Sequence, residues 1–566
     1  MIGISKKYQR LILYLFLGPL TNEIKNNLNV KINEVQLNDY DLNQSILTNI
    51  HLRKCIYFPF FEICPTTQSN KTNKTRQKRV KKDLSQSKAI NWFGVSQYIY
   101  IDYITLGDFM ANKDNEIPFT GIVDVLPYSA LSPYKIKNMF TFIKDNITIE
   151  NIKTKEFISD IDFLFGEDCI EPREDWKMDK SWKLNTVYYP THITIKKINA
   201  TYNHDPYSNF PAMQENLKLD ENGNFKIVQF ADLHFSVGYG SCRDEFPEQT
   251  SDCKADAKTL SFLEKILDIE NPNMVIFTGD QIMGDRCRQD SISALLKVVS
   301  PVIKRKIPYA MVWGNHDDEG SLTRWELSEF VSSLPYSLFK FSPKDTANSD
   351  FGVGNYVIQI FTPINNNPAV TLYFLDSHKY SPNGKLFPGY AWIQEEQWKY
   401  IEQYYSRYIK PDEKKYSRIP LAMAFFHIPL PEYLNLNSIQ HPGEQNKVVG
   451  SWKEGVTAPK YNSHGTNTLL DIGVDVVSVG HDHCNDYCLL DDSSQNDAHK
   501  NNNKLWLCYG GGSGEGGYAG YGGTERRIRV FEIDSVKNNI YTWKRLHNSP
   551  EEIFDKQVLV SDGVPS

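Results

Sequence analysis

Five short segments between Asp232 and His483 carry metal-binding side chains. They read Asp232-Leu233-His234, Gly279-Asp280, Gly314-Asn315-His316-Asp317, a lone His427, and Gly480-His481-Asp482-His483. In four of the five, the polar cluster directly follows an apolar run. In the first, the run 225–231 includes Lys226 and Gln229. This order predicts hard oxygen donors and imidazoles at the C-terminal ends of buried strands, where open α/β sheets place their sites. Carboxylate, amide oxygen and imidazole together suit iron, manganese or zinc rather than calcium. Asp280 can use both carboxylate oxygens to bridge two ions. Two adjacent cations would lower the pKa of a shared water and give hydroxide near neutral pH, a chemistry suited to hydrolysing phosphate esters. Alternate residues of an extended chain share a face, so Asp232 and His234 are expected to approach one pocket, as are His481 and His483. Singly, each signal is weak: Gly-Asp is common, and a lone histidine is more often a core residue. The ordered set, each member at a strand end, is what points to a site.

The elements that must hold these residues alternate from residue 224 onward. Strands are expected over 225–231, 274–278, 309–313, 355–361, 370–375, 421–426 and 474–479, and again over 505–509, 527–533 and 539–545. Helices are expected over 260–269, 291–303, 324–334, 393–408 and 466–470. Leu260, Leu263 and Leu267 stand at helical spacing and mark a face that packs on a sheet. Such alternation argues for an α/β layered fold, and no internal repeat of fixed period is present. Residues 92–205 are aromatic and β-branched with few helical periods, which predicts a smaller β-rich domain. The expected division is a signal or anchor segment over 1–25, a variable segment over 26–91, the β-rich domain over 92–205, the catalytic domain over 206–550 and a tail over 551–566.

The chain has 566 residues, enough for more than one domain and a large core. Its net charge of -7 would repel a phosphate-rich polymer, so no nucleic-acid partner is expected. Small phosphorylated substrates remain compatible, because metals supply local positive charge. Nine cysteines over this length are not a disulfide framework, and the odd count leaves at least one thiol unpaired. Cys242 with Cys253, and Cys484 with Cys488, could bridge in an oxidising compartment; free thiols are the equal alternative. Lys6, Lys7 and Arg10 precede a short apolar run over 11–20. This resembles a signal peptide as closely as an amphipathic helix or first strand, and it is too short for the roughly 20 apolar residues of a membrane span. Any membrane association would come through this segment alone. Between the secretory route and the cytoplasm the sequence makes no choice. Sequons stand at Asn43, Asn70, Asn73, Asn146 and Asn199. Seven Lys or Arg over 71–82 read as a solvated linker.

Gly510 to Gly523 is dense in glycine but lacks the Gly-Lys-Ser/Thr ending of a P-loop. It reads better as a turn beside the pocket, where missing side chains let backbone approach. His378, Arg286, Arg288 and Lys379 could line the pocket or bind phosphate, although most such residues are solvated or strand-end polar groups.

The ordered set over roughly 224–545 resembles the calcineurin-like metallophosphoesterase superfamily. Phe426-His427-Ile-Pro-Leu-Pro-Glu-Tyr433, Gly480-His-Asp-His-Cys-Asn-Asp-Tyr-Cys488, Gly510-Gly-Gly-Ser and Gly520-Tyr-Gly-Gly523 are similar to its purple-acid-phosphatase-related branch, nearest to fungal cell-cycle-linked phosphatases. The resemblance implies a layered β-sandwich flanked by helices and a dinuclear centre. Asp232, His234, Asp280 and His483 would hold one ion, and Asp280, Asn315, His427 and His481 the other. His316 would protonate the leaving oxygen, with Asp317 as the carboxylate to orient it. The implied activity is a phosphomonoesterase, with a phosphoprotein among the candidate substrates; a phosphodiesterase or nuclease and a non-catalytic binding protein are the alternatives. Two departures matter. Purple acid phosphatases carry Tyr three residues after the bridging Asp, where this chain has Met283, and they lack the histidine that is His234 here. A coloured iron–tyrosinate centre is therefore not expected. Asp285 and Arg286 come too late after Gly279-Asp280 to match the Asp-Arg of the protein-phosphatase branch.

Overall fold

The computed structural model describes residues 41–64, 75–88, 91–111, 119–125, 140–144, 156–184, 186, 188–199, 217–247, 252–342, 350–416, 420–435, 448–492, 504–520 and 523–566. The N-terminal strands are β1 (Ser45–Phe58), β2 (Phe61–Ile63), β3 (Arg76–Arg79), β4 (Gly94–Thr105), β5 (Phe119–Val125), β6 (Phe140–Lys144), β7 (Glu156–Phe165), β8 (Trp176–Leu184) and β9 (Thr191–Asn199). They form three antiparallel sheets, ordered β2-β1-β4-β3, β5-β6 and β7-β9-β8. The β-rich unit thus starts earlier than its expected boundary: β1 pairs with β4 from Ser45↔Thr105 to Tyr57↔Gly94.

The solvated linker is also corrected. Residues 76–79 form an edge strand on β4, because carboxylates face their charges. Lys78 meets Asp160 at 2.6 Å and Arg79 meets Glu62 at 3.1 Å. Lys82 is buried and donates to Asp290 at 2.8 Å. Residues 71–74 lie outside the described residues, as does the apolar run 11–20. Among the described residues, no helix is long and apolar enough to cross a membrane.

Two sheets make the larger part. One contains β10 (Asn224–Phe230), β11 (Met274–Thr278), β12 (Tyr309–Val312), and later strands. The other contains β13 (Tyr356–Phe361), β14 (Pro368–Phe374), β15 (Leu421–Phe425), β16 (Val476–Val479), β17 (Cys488–Asp491) and β18 (Leu505–Tyr509). The chain then returns to the first sheet with β19 (Arg527–Asp534), β20 (Asn539–Leu546), β21 (Phe554–Ser561) and β22 (Val564–Pro565). The orders are β12-β11-β10-β19-β20-β21-β22 and β13-β14-β15-β16-β18-β17. The segment expected to be a tail therefore belongs to the first sheet, with Val560 paired to Ile540. Its polar residues hid it: Asp555, Lys556 and Gln557 stand in a row and leave only the short apolar run Val558 to Val560.

The strands expected from 224 to 545 all form, with ends within two residues of expectation. The helices are α1 (Leu106–Ala111), α2 (Ala255–Glu270), α3 (Ser291–Lys304), α4 (Arg324–Ser332), α5 (Glu395–Tyr404), α6 (Lys410–Tyr416) and α7 (Gly465–Asp471). α2 begins five residues before the expected start. Its first turn buries Asp256 against Lys297, an ion pair that apolar periodicity does not register. α3 starts where the Asp290 side chain accepts from Ser293 N–H, and α4 opens with a Thr323/Glu326 capping box. Beyond α5 the helix widens into a π turn (Tyr405–Ile409), so the expected 393–408 element is not uniformly α-helical.

The two sheets pack face to face: Phe425 of β15 meets Phe531 of β19 edge-on at 6.2 Å. A second apolar layer lies between the six-stranded sheet and α5 and α7, with Trp398, Ile401 and Leu469 buried against Tyr373, Ala424 and Val477. The main core also takes in Leu47, Ile99, Ile161 and Phe163 of the N-terminal sheets, so that unit shares its core with the rest. Lys297, whose side chain is fully buried, ties the two with 2.7 Å bonds to Asp168 and to the Gly238 carbonyl. Disulfides join Cys55–Cys64, Cys242–Cys253 and Cys488–Cys508. The Cys484–Cys488 pairing does not form. Cys488 and Cys508 oppose each other across β17 and β18, and Cys484 is buried and free.

Candidate metal centre

β10, β11 and β12 run parallel in one sheet; β14, β15, β16 and β18 run parallel in the other. Their C-terminal ends meet along one edge of the sandwich. Every segment predicted to carry ligands leaves a strand there, Asp232 and His234 after β10, Asp280 after β11, Asn315 and His316 after β12, His427 after β15, and His481 and His483 after β16. The sheet pattern alone therefore collects the donors.

The local geometry is not that of extended chain. Asp232, His234, Asp280 and His481 have φ of 54°, 52°, 51° and 78°, in the left-handed region. Asp232 and His234 converge because the chain coils between them, not because alternate residues share a strand face. Such conformations cost on the order of 1–3 kcal/mol each, and they concentrate at functional sites. The turns are tight. A Cβ on Gly279, itself at φ 97°, would lie 2.3 Å from His427 Nδ1, and one on Gly314 would lie 2.1 Å from Asp280 Oδ1.

The donors form two overlapping groups. Donor atoms of Asp232, His234, Asp280 and His483 all lie within 4.8 Å of one another. His234 Nε2 faces His483 Nε2 at 3.1 Å and Asp280 Oδ2 at 3.6 Å. In the second group, His427 Nε2 stands 3.1 Å from Asn315 Oδ1, 3.4 Å from Asp280 Oδ2 and 3.2 Å from His481 Nδ1. Asp280 belongs to both.

The far nitrogens turn the near ones inward. His427 Nδ1–H donates to the Thr278 carbonyl at 2.9 Å, and His483 Nδ1–H donates to the Tyr518 carbonyl at 2.8 Å. Those bonds leave Nε2 of each ring as the lone-pair atom. His427 Nε2 then faces Asn315 Oδ1 and Asp280 Oδ2, and His483 Nε2 faces His234 Nε2 and Asp232 Oδ1, a crowding of donor atoms that a cation, or a proton on His427, relieves. His234 Nδ1 and His481 Nε2 are buried without a hydrogen-bond partner. The residues present thus fit a pair of cations bridged by Asp280.

Electrostatics agree. Burial pushes His234 down to about 3 and holds His481 and His483 well below their ordinary range, which keeps these three rings neutral at neutral pH. Burial likewise lifts Asp232 to about 8. His427 is opposed by burial, but Asp280 and Asp232 outweigh it and raise it to about 9. Burial works against charge on Asp280, yet His427, His234 and His316 hold it well below the carboxylate range. The carboxylates draw positive charge into the pocket.

His316 sits at the rim, its side chain 33% exposed. Its backbone N–H donates to Asp280 Oδ1 at 2.9 Å, and its Nδ1 meets Glu319 Oε2 at 2.8 Å. Asp317 does not touch this imidazole, contrary to expectation. Its carboxylate is buried and accepts from Gly314 N–H (2.7 Å), Asp280 N–H (3.0 Å) and Ile282 N–H (3.0 Å). It clamps the β11 and β12 loops together, and Glu319 takes the orienting place. An i, i+3 spacing across a short 3₁₀ turn (Asp317–Glu319) was the available signal, obscured by three acidic residues in a row. The other unforeseen partners are Tyr518, stacked on His483 at 3.9 Å, and Tyr390, whose ring meets His481 edge-on at 4.3 Å. His378 bonds Gln397 at 2.8 Å, Lys379 pairs with Asp318 at 2.9 Å, and Arg286 and Arg288 are exposed. The glycine-rich segment packs on the first group. A Cβ at Gly517 would lie 2.6 Å from both His234 Cδ2 and His483 Cε1.

The family model for calcineurin-like phosphoesterases matches residues 225–485, the span of this geometry. "Phosphatase DCR2" of Saccharomyces cerevisiae is 47% identical over the full length of both chains. The chain belongs to the calcineurin-like phosphoesterase family. Within that family, "Probable inactive purple acid phosphatase 29" of Arabidopsis thaliana is 35% identical over 62% of this chain and 89% of its own. A solved structure of a dimetal phosphatase from Danio rerio aligns over 60% of this chain and 99% of its own, with 14% identity and a TM-score of 0.38. Family membership supports hydrolase activity, and the donor set above is its candidate dinuclear centre.

Proposed function

We propose that this chain is a metal-dependent phosphomonoesterase, with Asp232, His234, Asp280 and His483 at one ion and Asp280, Asn315, His427 and His481 at the other. The observation that carries this reading is the convergence of two groups of donor side chains on Asp280, with Nε2 of His427 and of His483 turned inward by the Thr278 and Tyr518 carbonyls. When bound, iron, manganese or zinc ions supply Lewis acidity and an activated water. The protein's own residues do the rest. Asp280, shared by both groups, fixes their spacing. Asp317 fixes Asp280 by binding its N–H. Glu319 holds His316 Nδ1, which leaves Nε2 as the atom that gives a proton to the departing ester oxygen.

The substrate is a phosphate monoester, with a phosphoprotein among the candidates. The net charge of -7 weighs against polymeric nucleic acid. The full donor set favours turnover here, although some Arabidopsis relatives are named as inactive. The test compares hydrolysis of nitrophenyl phosphate and its bis ester by the purified chain, with metal content measured in the same samples. Faster turnover of the monoester supports the reading. Faster turnover of the bis ester makes the chain a phosphodiesterase, and no turnover with any of the three metals makes it a binding protein.

A further inference from the structure

We infer that Tyr380 and Tyr390 form the subsite for the organic group of the substrate, and that this group is a flat aromatic ring carried on the ester oxygen. The inference rests on the phosphomonoesterase reading for its geometry. Both tyrosines stand on the loop that follows β14. Tyr390 meets the ligand His481 edge-on at 4.3 Å. Its ring lies nearly parallel to that of Tyr380, 5.8 Å away at an interplanar angle of 19°. The Tyr380 hydroxyl reaches Glu319 Oε1 at 3.5 Å, while the other oxygen of Glu319 holds His316. One aromatic surface therefore runs outward from a metal ligand and touches the carboxylate of the proton donor. A leaving group protonated by His316 departs on that side.

The surface is built rather than incidental. Ser381 N–H donates to the Gly389 carbonyl and Ala391 N–H to the Lys379 carbonyl, both at 2.9 Å, so the loop is pinned like a hairpin. Behind it Phe387 and Trp392 pack on Tyr461 at 5.1 and 4.6 Å. Tyr380 is 52% exposed. An exposed aromatic face beside a polar, charged floor suits a ligand that is anionic at one end and aromatic at the other. Ring pairs of this kind contribute affinity beyond area alone.

The test uses metal-loaded full-length chain and two phosphonates that cannot be hydrolysed, so leaving-group reactivity plays no part. Calorimetry measures Kd for phenylphosphonate and methylphosphonate. Phenylphosphonate should bind about tenfold tighter, within the range of one ring contact. Tyr380→Leu and Tyr390→Leu should each reduce that preference to within about threefold; the preference is a ratio of two Kd values from one sample, so a change in metal content does not mimic its loss. Equal Kd values in the unaltered chain overturn the subsite, as does a preference that survives both substitutions. Turnover of nitrophenyl phosphate separates the two failures. Turnover without a phenyl preference sinks the subsite alone; a phenyl preference without turnover sinks the phosphatase reading alone. A peptide bearing phosphonomethyl-phenylalanine distinguishes sources. Binding more than tenfold tighter than phenylphosphonate assigns the ring to a phosphotyrosyl side chain, and equal binding assigns it to a small aryl ester; both results keep the aromatic subsite.

Discussion

His316, Asp317 and Glu319 occupy one turn and do three different things. His316 is poised at the rim with Nδ1 on Glu319, so removing it should matter only where the leaving oxygen needs a proton. His316→Ala should lower kcat by about 10²–10⁴ for an alkyl phosphate and much less for nitrophenyl phosphate; equal losses on both substrates would remove the general-acid role. Asp317 and Glu319 separate by what they hold. Asp317→Ala would strand three buried N–H groups, each costing about 1–3 kcal/mol, and should lower Tm and metal content together. Glu319→Gln should leave Tm and metal content close to the unaltered chain and lower kcat for alkyl phosphates by about tenfold. Thermal melts and elemental analysis on the two variants check this, and a reversal of the two patterns would return the orienting role to Asp317.

At the scale of elements, the site depends on strand ends meeting a glycine-rich strap. Gly517 lies where a Cβ would strike the rings of His234 and His483 at 2.6 Å. Gly517→Ala should therefore lower occupancy at the first ion more than at the second, measurable as fewer metals bound per chain; unchanged occupancy would show that the strap can yield. The strands, and with them the convergence of the seven candidate donors, were legible in the sequence because four of the five segments directly follow an apolar run, and burial is what a run of Val, Ile and Phe records. The Asp317 role was not, since three consecutive acidic residues give no hint of which carboxylate points where. Cys508 as the partner of Cys488 was equally hidden: it depends on β17 and β18 lying side by side, and sequence distance carries no trace of that. β3 and β21 escaped for a third reason. Their charges are neutralised by residues distant in the chain, such as Asp160 and Glu62 for β3, so local composition read as solvent-facing.

At the scale of the whole molecule, the ligand motif is braced from behind by a buried charge cluster. Asp486, three residues past His483, contacts Arg527 and Lys544 at 2.6 Å each. Burial works against its charge, but those two cations win and lower it from 3.8 to about 2. A carboxyl depressed in the folded state contributes stability above its unfolded pKa and loses it as pH falls through the folded value. Stability should therefore fall by about 2 kcal/mol between roughly pH 4 and pH 2 through this group. Asp486→Asn should flatten that part of the pH–stability curve while lowering stability at pH 7, since two buried cations lose their partner. A curve of unchanged shape would place the acid sensitivity elsewhere. This cluster reaches the site through Arg527, which donates to the His483 carbonyl at 2.8 Å, and the two donor groups share one carboxylate: Asp280 faces His234 from one group and His427 from the other. Elemental analysis of Asp280→Asn against the unaltered chain tests the shared carboxylate most directly. Two metal ions per unaltered chain and a near-complete loss of both in the variant are expected; unchanged metal content in the variant would contradict the bridge.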